Sequence, residues 1–305
     1  MAAPCIAQTY PSKPIRVIVP FAPGGPNDLL ARLVGQKLTE AWGQQVIVDN
    51  RPGGGTIIGS DLVAKAPPDG YTLLMTSTST SVNPSLKKKL PYDTLNDFAR
   101  VIRLAASPNV LVVHPALPAR SVGELIRLAK SKPGEIAYAS GGTGAATHLA
   151  GELVCIMGGV KMTHVPYKGA GPATVDLISG QVQWMFGTIL PTMPHIKSGR
   201  LRAIAVSGER RSPVLPDVPT VAETLPGFEA TSWYGIFAPA GTPKPVIAKL
   251  NEEIARIMKS PEVTHSLTED GAMPVADTPE AFERFFRADV AKWGKVIQQA
   301  GIAQN

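Results

Sequence analysis

Residues 13–28 decide the fold, and they read Lys13-Pro-Ile-Arg-Val-Ile-Val-Pro-Phe-Ala-Pro-Gly-Gly-Pro-Asn-Asp28. The β-branched run that ends at Pro20 predicts a short buried strand. A turn rich in glycine and proline follows, and apolar residues then recur at helical spacing from Leu29 to Leu38. Pro26 suits the first helical position, where its missing N–H is no loss. The stretch therefore predicts a strand, a tight loop and a helix that begins at that loop.

The same order of elements recurs along the chain. Strands at 45–49 and 71–76 flank a helix over about 57–66, which completes a β-α-β-α-β run, and a second series of elements follows Ser107-Pro108. Strands that alternate with helices favour a mostly parallel sheet. Because 305 residues is about twice the usual size of a domain, two domains are expected.

Three helical segments at 245–259, 261–269 and 279–300 finish the chain without strands of their own. We expect them to pack back onto the first sheet. The sequence therefore predicts a discontinuous first domain, residues 8–103 plus 230–305, with a second domain of residues 104–229 inserted between its halves.

Composition excludes several classes of protein. Hydrophobic residues make up 44% and charged residues 18%, which does not fit a disordered chain or a coiled coil. The 29 glycines and 29 prolines follow no fixed period, so they predict tight loops rather than collagen. No stretch reaches the roughly 18 apolar residues of a membrane span. The net charge of +6 fits a small acidic ligand, whereas scattered basic residues and 6% aromatics do not favour nucleic acid.

The first residues are typical of the end of a secretory signal. They are rich in alanine and end in Cys5-Ile6-Ala7, a small-residue pattern found before cleavage sites. We therefore interpret residues 1–7 as the remnant of a signal peptide, with an ordinary chain terminus as the alternative. If cleavage follows Ala7, Cys155 is left without a disulfide partner in the chain.

Signatures of catalysis and of metal or nucleotide binding are missing from the sequence. It contains no HExxH, GxSxG, P-loop or EF-hand motif. Gly142-Thr-Gly-Ala-Ala-Thr147 matches only two glycines of a dinucleotide loop, and no acidic residue stands about twenty positions later. The five histidines share no metal-binding spacing, so neither a metal nor a cofactor is expected. His148, in the first turn after a glycine-rich loop, fits either a pocket or a structural position.

Two similar loops stand out, one in each predicted domain. They are Pro23-Gly-Gly-Pro-Asn-Asp28 and Ser140-Gly-Gly-Thr-Gly144, and each lies between a strand and a helix. A helix N-terminus offers unsatisfied N–H groups and about half a positive charge, and glycines let an anion approach them. Such loops lie at the carboxyl ends of the strands. Together they predict a clamp for an acid, although each also fits a simple tight turn.

Other residues support this candidate site. Ser77 ends a strand at the same edge, and Tyr167 lies in a turn from which it can close over a ligand, beside Lys168. Asp28 is unfavourable beside an anion, so we expect it to bond its own helix start, to orient water or to meet a ligand amine. The residues expected at the ligand are Phe21, Gly24, Gly25, Asn27, Asp28, Ser77, Ser140, Gly142, Thr143, Gly144, His148 and Tyr167.

With these motifs, nearly the whole chain resembles the Bug family, the TctC-like extracytoplasmic solute receptors of tripartite tricarboxylate transporters. The landmarks that carry the resemblance are Tyr10-Pro-Ser-Lys-Pro-Ile-Arg16, Pro20-Phe-Ala-Pro-Gly-Gly25, Asn50-Arg-Pro-Gly-Gly-Gly55, Ala64-Lys-Ala-Pro-Pro-Asp-Gly-Tyr71, His164-Val-Pro-Tyr-Lys-Gly169, Pro194-His-Ile-Lys-Ser-Gly-Arg-Leu201, Leu215-Pro-Asp-Val-Pro-Thr220 and Trp233-Tyr-Gly-Ile-Phe-Ala-Pro-Ala-Gly-Thr-Pro243.

The resemblance implies an α/β fold of the periplasmic-binding-protein type, a type II Venus flytrap with two mostly parallel sheets and a ligand cleft between its lobes. It implies a monomeric periplasmic receptor that catches a small organic acid, a dicarboxylate and an aromatic acid included, and delivers it to membrane permease subunits. It implies no enzymatic activity and no cofactor. The alternatives are an enzyme of small carboxylic acids that uses His148 with Ser140, and a sensing receptor for a membrane sensor kinase.

The sequence departs from the family pattern at one strand end. Relatives often carry an acidic residue or asparagine where this chain has Met185-Phe186-Gly187-Thr188, and Gln183 stands where an acidic residue is common. Loss of acidic groups disfavours a ligand ammonium and leaves room at Gly187, which we add to the ligand-binding candidates. The departure therefore favours a carboxylate without an amine over an amino acid.

Overall fold

The structure, a computed structural model, describes residues 10–302 except 168 and 270. The proposed signal remnant at residues 1–7 and the candidate Lys168 lie outside the described residues. In chain order the strands and helices are β1 (Ile15–Val19), α1 (Pro26–Trp42), β2 (Val46–Asn50), α2 (Ile57–Ala64), β3 (Thr72–Ser77), α3 (Ser79–Leu86), β4 (Phe98–Ser107), β5 (Asn109–Val113), α4 (Val122–Ser131), β6 (Ala137–Ser140), α5 (Ala146–Gly158), β7 (Thr163–Pro166), α6 (Ala170–Ile178), β8 (Trp184–Thr188), α7 (Ile189–Lys197), β9 (Arg202–Val206), β10 (Ser232–Pro239), α8 (Lys244–Met258), α9 (Pro261–Glu269), β11 (Met273–Pro274) and α10 (Pro279–Gln299).

The strands form two sheets. The first has the order β11-β4-β10-β3-β1-β2 and the second the order β7-β6-β8-β5-β9. We call the first sheet with the helices packed on it the first lobe, and the second sheet with its helices the second lobe. This arrangement confirms the predicted α/β fold with two lobes. Among the described residues, no helix is both long enough and apolar enough to cross a bilayer.

Neighbouring strands are mixed in direction, rather than mostly parallel as expected. In the first sheet β1 is parallel to β2 and β3, but β10 is antiparallel to β3 and β4. In the second sheet β6 is parallel to β7 and β8, but β5 is antiparallel to β8 and β9. The chain path explains the reversals. Only Pro108 separates β4 from β5, so β5 starts at the edge where the other strands of the second sheet end. When the chain returns to the first sheet, β10 likewise starts at the edge where β3 and β4 end.

Each sheet is covered on both faces. Leu30 and Val34 of α1 pack with Leu250 and Ile254 of α8 on one face of the first sheet, and the opposite face carries a cluster of aromatic side chains. In the second lobe, α4 and α5 contribute to one core cluster and α6 and α7 to another. The carboxyl ends of β1, β3, β6 and β8, which precede the candidate loops, are therefore supported by packed layers.

The last helix links the two lobes. Phe282 and Phe286 of α10 belong to the aromatic cluster of the first lobe, whereas Trp293, Val296 and Ile297 belong to a core cluster of the second. The expectation that all three terminal helices pack on the first sheet therefore holds for only the first half of α10, which contacts β4, whereas its second half packs on the second lobe. Apolar spacing shows which face of a helix is buried, but it does not show which sheet buries it.

Candidate ligand-binding site

The first loop leads from β1 to the start of α1. Gly24 has φ +86°, and Gly25 is the N-cap in an extended conformation with φ −83°. No side chain caps this helix start. N–H groups of the first turn are left over at any such start, and the partial positive charge there attracts anions. The loop therefore has the local form that was expected of an anion site.

Asp28 shapes this loop from beneath. Its carboxylate is 2% exposed and accepts hydrogen bonds from the Gly24 amide at 2.9 Å, from Arg32 Nε at 3.0 Å and from Asn50 Nδ2 at 3.0 Å. Asn50 Nδ2 also donates to the carbonyl of Phe21 at 3.1 Å. The bond from Arg32 is the main cause that lowers the pKa of Asp28, and it outweighs the opposing effect of burial. Of the three expected roles, bonding to its own helix start is the one that the structure shows.

Asn27 differs from its neighbour Asp28. It is 6% exposed, and its Oδ1 has no hydrogen-bond partner among the described residues. Ser79 Oγ, in the first turn of α3, is another buried polar atom without such a partner. α3 follows β3 directly after the candidate Ser77, which lies opposite Tyr234 of β10. Buried polar atoms cost stability unless they are paired, so both atoms are suited to a ligand hydroxyl or an ordered water.

The second loop uses most of its own amides. The Gly141 amide donates to Thr147 Oγ1 at 3.2 Å, the Gly142 amide to Ser140 Oγ at 3.1 Å and the Gly144 amide to His148 Nδ1 at 3.0 Å. The donors left for a ligand in this loop are therefore the Thr143 amide and the first turn of α5, which no side chain caps. The Gly142 and Gly144 amides help to shape the loop, and contact of these two residues with a ligand stays a prediction.

His148 supports this loop through a hydrogen bond to its backbone. It is 3% exposed, and because its Nδ1 accepts from Gly144, its other nitrogen carries the proton that faces Glu152 Oε1 at 3.5 Å. Its ring stacks on His164 with ring centres 3.7 Å apart. Both ring nitrogens therefore have partners within the protein, which fits the structural alternative, and contact of His148 with a ligand stays a prediction.

Ser140 bonds His164 instead of His148. The Oγ lies 2.7 Å from His164 Nε2, and the residue is fully buried. The catalytic alternative required Ser140 to act with His148, and this contact is not made. The same cluster contains Tyr138, whose hydroxyl donates to Glu152 at 2.5 Å. Burial acts to raise the pKa of Glu152, but the bonds from His148 and Tyr138 outweigh it and lower that pKa.

Tyr167 belongs to a third loop, which is tied to the second. Its amide donates to the Ser140 carbonyl at 3.1 Å, and the Gly169 amide donates to the Gly141 carbonyl at 3.2 Å. The hydroxyl of Tyr167 donates to Asp176 at 2.7 Å. Burial and this carboxylate raise the pKa of Tyr167 to about 12. The hydroxyl is therefore engaged, and what Tyr167 can present to a ligand is its ring.

Gly187 lies at the end of β8, one residue before the N-cap of α7. A Cβ at this position would approach Thr192 Oγ1 to 2.7 Å. Thr192 is itself held by a bond from its hydroxyl to the Thr188 carbonyl at 2.6 Å. The side chain of Thr192 thus occupies the space into which a larger residue at position 187 would grow.

Comparison with known proteins identifies the family. A family model described as "Tripartite tricarboxylate transporter family receptor" matches residues 30–302. The chain belongs to this receptor family. Protein BugT of Bordetella pertussis is 40% identical over 304 residues, which covers 99% of this chain and 93% of BugT.

Solved structures show the same fold as the receptor. The R. palustris protein Rpa4515, solved with adipate, is 38% identical with a TM-score of 0.81 and covers 97% of the receptor and 100% of its own chain. MatC from Rhodopseudomonas palustris, with bound malate, is 33% identical with a TM-score of 0.76 over 94% and 100% of the two chains. A TctC solute binding protein from Polaromonas is 29% identical with a TM-score of 0.85 over 95% and 100%. These findings confirm the Bug (TctC-like) resemblance and the periplasmic-binding-protein fold.

The two lobes of the receptor meet at α3 and the second loop. Gly144 has φ +79°, and a Cβ added there would approach Leu86 Cδ1 to 2.3 Å. Val82 of α3 belongs to a core cluster of the second lobe. Two constraints therefore favour glycine at position 144: the positive φ of its backbone, and the close contact with Leu86, which leaves no space for a Cβ.

Sequence reasoning missed several residues that shape the site. Arg32 stands four residues after Asp28, so the i,i+4 pairing of opposite charges on a helix offered a signal. Asn50 begins a quoted glycine-rich motif but was not assigned a role. His164 and Glu152 gave no such signal, because their contacts join a strand and a helix that are adjacent only in the folded chain.

The histidine pair makes the stability of the receptor sensitive to acid. Burial, and then the neighbouring His148, lower the pKa of His164 from 6.5 to about 4. The unfolded chain therefore takes up a proton between these pH values that the folded chain refuses, and stability falls as the pH falls through this window. Between pH 6.5 and pH 5 we expect a loss of about 1 kcal/mol, with solvent screening allowed for.

Urea unfolding at a series of pH values measures this loss. The His164→Asn variant keeps a polar partner for Ser140 but cannot titrate, so its stability should vary less over the window. His114→Asn, a change at the end of β5 and away from the cluster, should retain the slope of the parent. An equal slope in the His164→Asn variant would assign the acid sensitivity to other groups.

Proposed function

We propose that this receptor captures a small organic acid between its two lobes in the periplasm and delivers it to the permease subunits of a tripartite tricarboxylate transporter. The observation that carries the proposal is the pair of uncapped helix starts, at α1 and α5, that follow glycine-rich loops in different lobes. Two such starts provide N–H donors and partial positive charge without an arginine. The adipate and malate bound by two relatives support a carboxylate ligand.

The engaged side chains further support binding without chemistry. Asp28, His148, Ser140 and the Tyr167 hydroxyl all bond other protein groups. Among the described residues, no group of three or more histidine, cysteine, aspartate or glutamate side chains is arranged to hold a metal ion. We infer, from the family resemblance, that the receptor acts as a monomer. All the residues expected at the ligand stay proposed neighbours, and Asn27 Oδ1, which has no partner among the described residues, is well suited to contact it.

A ligand screen tests the proposal. Purified receptor, unfolded and refolded to remove any bound molecule, is heated with short mono-, di- and tricarboxylates, aromatic acids and acidic amino acids. A ligand at a hundredfold excess over its Kd stabilises the native state by about 2.7 kcal/mol. We expect a carboxylate without an amine to raise the melting temperature most. No rise with any acid would overturn the carboxylate clamp.

A further inference from the structure

We propose that the groove between α6 and α7 holds the far end of the bound acid, so that the ligand is an elongated acid with an apolar middle and a second anionic group. This inference rests on the proposed function, because the near end of the acid is assigned to the two glycine-rich loops. The groove has a volume of about 450 Å³. No residue of the groove other than Gly187 was expected to contact a ligand.

The groove begins at the edge of the sheet where the near end of the acid is proposed to bind. Its floor is β8, and its first residues include Gly171, Gly187 and Thr188. Ala139 of β6 lies opposite Met185 of β8. The second glycine-rich loop begins at Ser140, one residue after Ala139, and Gly187 lies two residues after Met185, so both lie at the same edge of the sheet. A molecule held by the loops can therefore continue into the groove.

The groove extends away from this edge along both helices. Gly171 and Ile178 line it at opposite ends of α6, and seven residues of helix correspond to a length of about 10 Å. A compact acid fills only the first part of such a length. An extended carbon chain uses all of it.

The walls of the groove are apolar. Val175 is 63% exposed, which is unusual for a large aliphatic side chain, and Ile178 and the buried Met185 extend the same surface. Covering apolar surface contributes about 25 cal/mol for each Å² removed from water. Methylene groups of a ligand would thus increase its affinity here, whereas a short acid would leave this apolar surface exposed to water.

The far end of the groove carries one cationic group, the Arg200 guanidinium, with the His195 ring beside it. Arg200 and His195 line it, and none of the described lining residues is acidic. Within the described part of the chain, the Arg200 side chain bonds only Ser198 Oγ, at 3.2 Å from Nε, and its guanidinium forms no ion pair. His195 Nδ1 is buried without a hydrogen-bond partner there. A guanidinium can bind a carboxylate through two parallel bonds, so this end fits a second anionic group.

Calorimetry of the full chain tests the groove with two series of probes. One series contains the straight-chain dicarboxylates succinate, adipate, suberate and sebacate, and the other contains the monocarboxylates butyrate, hexanoate and octanoate. For the parent receptor we expect affinity to rise with chain length and the long dicarboxylates to bind more tightly than monocarboxylates of similar length.

Matched variants then locate the effect. Arg200→Gln should weaken binding of the longer dicarboxylates by about tenfold and leave succinate unchanged. Lys197→Gln removes a charge from the same region but not from the groove lining, and it should change neither. Val175→Trp fills the groove from an exposed position and should weaken binding of every long probe, whereas Ile47→Trp, at an exposed position in the first lobe, should not.

The outcomes separate the two proposals. Binding of short acids with no dependence on chain length, Arg200 or Val175 would overturn the groove and leave the proposed function standing. Equal losses in Arg200→Gln and Lys197→Gln would also overturn the groove, because they would indicate a general effect of charge. No binding of any probe by the parent receptor would overturn both.

Discussion

Replacing Gly25 by aspartate should lower the affinity of the receptor for its acid about a thousandfold. The position is the N-cap of α1, at the centre of the first proposed anion site. An added carboxylate would stand beside the ligand carboxylate. Two like charges about 4 Å apart at an effective dielectric constant of about 20 repel by roughly 4 kcal/mol, which corresponds to a factor of about a thousand in Kd. Isothermal calorimetry with the acid found in the screen measures the change.

The fold should tolerate this substitution. Gly25 has a φ of −83°, which any residue adopts, and a Cβ there would meet nothing closer than the Ala22 carbonyl at 3.9 Å. Aspartate and asparagine are both favourable N-caps and differ from glycine by only a few tenths of a kcal/mol. Gly25→Asn is therefore the matched control, with nearly the same shape and no charge. If both variants bind the acid equally well, the first loop does not contact its carboxylate.

Sequence allowed the local elements of the first lobe to be predicted closely. The β-branched run before Pro20 is β1, and Pro26 is the first residue of α1, because these signals act within a few residues. α9 likewise has the predicted bounds, Pro261–Glu269. α3 was missed, because its sequence is rich in serine and threonine and contains Pro84 inside the helix. Packing against α10 and the second lobe, rather than local preference, accounts for that helix.

The candidate site was predictable at the level of its loops but not of its bonds. Glycines before a helix indicate where backbone can approach an anion, and the loops before α1 and α5 have that form. Sequence does not indicate whether a loop amide already has a partner. In the second loop, Ser140 and His148 take up the amides of Gly142 and Gly144, two residues expected at the ligand. Such short contacts depend on side-chain direction, which appears only after the loop has folded.

The second large effect is expected at Asp289, in the middle of α10. Its Oδ2 accepts from Ser81 Oγ at 2.6 Å and from Trp233 Nε1 at 2.8 Å, and its Oδ1 lies 3.1 Å from Lys292 Nζ. The carboxylate is 3% exposed. Asp289→Ala leaves the buried Trp233 Nε1 without an acceptor and Ser81 Oγ with only the Thr78 carbonyl, at 2.8 Å. Breaking a buried charged network costs about 3–5 kcal/mol. Urea unfolding of the ligand-free receptor should show this loss.

Asparagine at position 289 is the matched control. It keeps one carbonyl oxygen for Trp233 or Ser81 and loses the ion pair, while Lys292 retains Glu229 at 2.5 Å. We expect Asp289→Asn to lose about half as much free energy of unfolding as Asp289→Ala. Equal and small losses in both variants would show that the three donors find other partners.

The position of Asp289 also predicts where the loss appears. The residue lies between Phe286, which packs in the first lobe, and Trp293, which packs in the second. Its partners stand on α3, which contacts the second lobe, and on β10, which returns the chain from it. Losing these bonds should loosen the part of α10 that joins the lobes while each core stays packed. Hydrogen exchange should therefore accelerate in α3, β10 and the middle of α10 before it does in β1 or β6, and uniform acceleration would contradict a local role for Asp289.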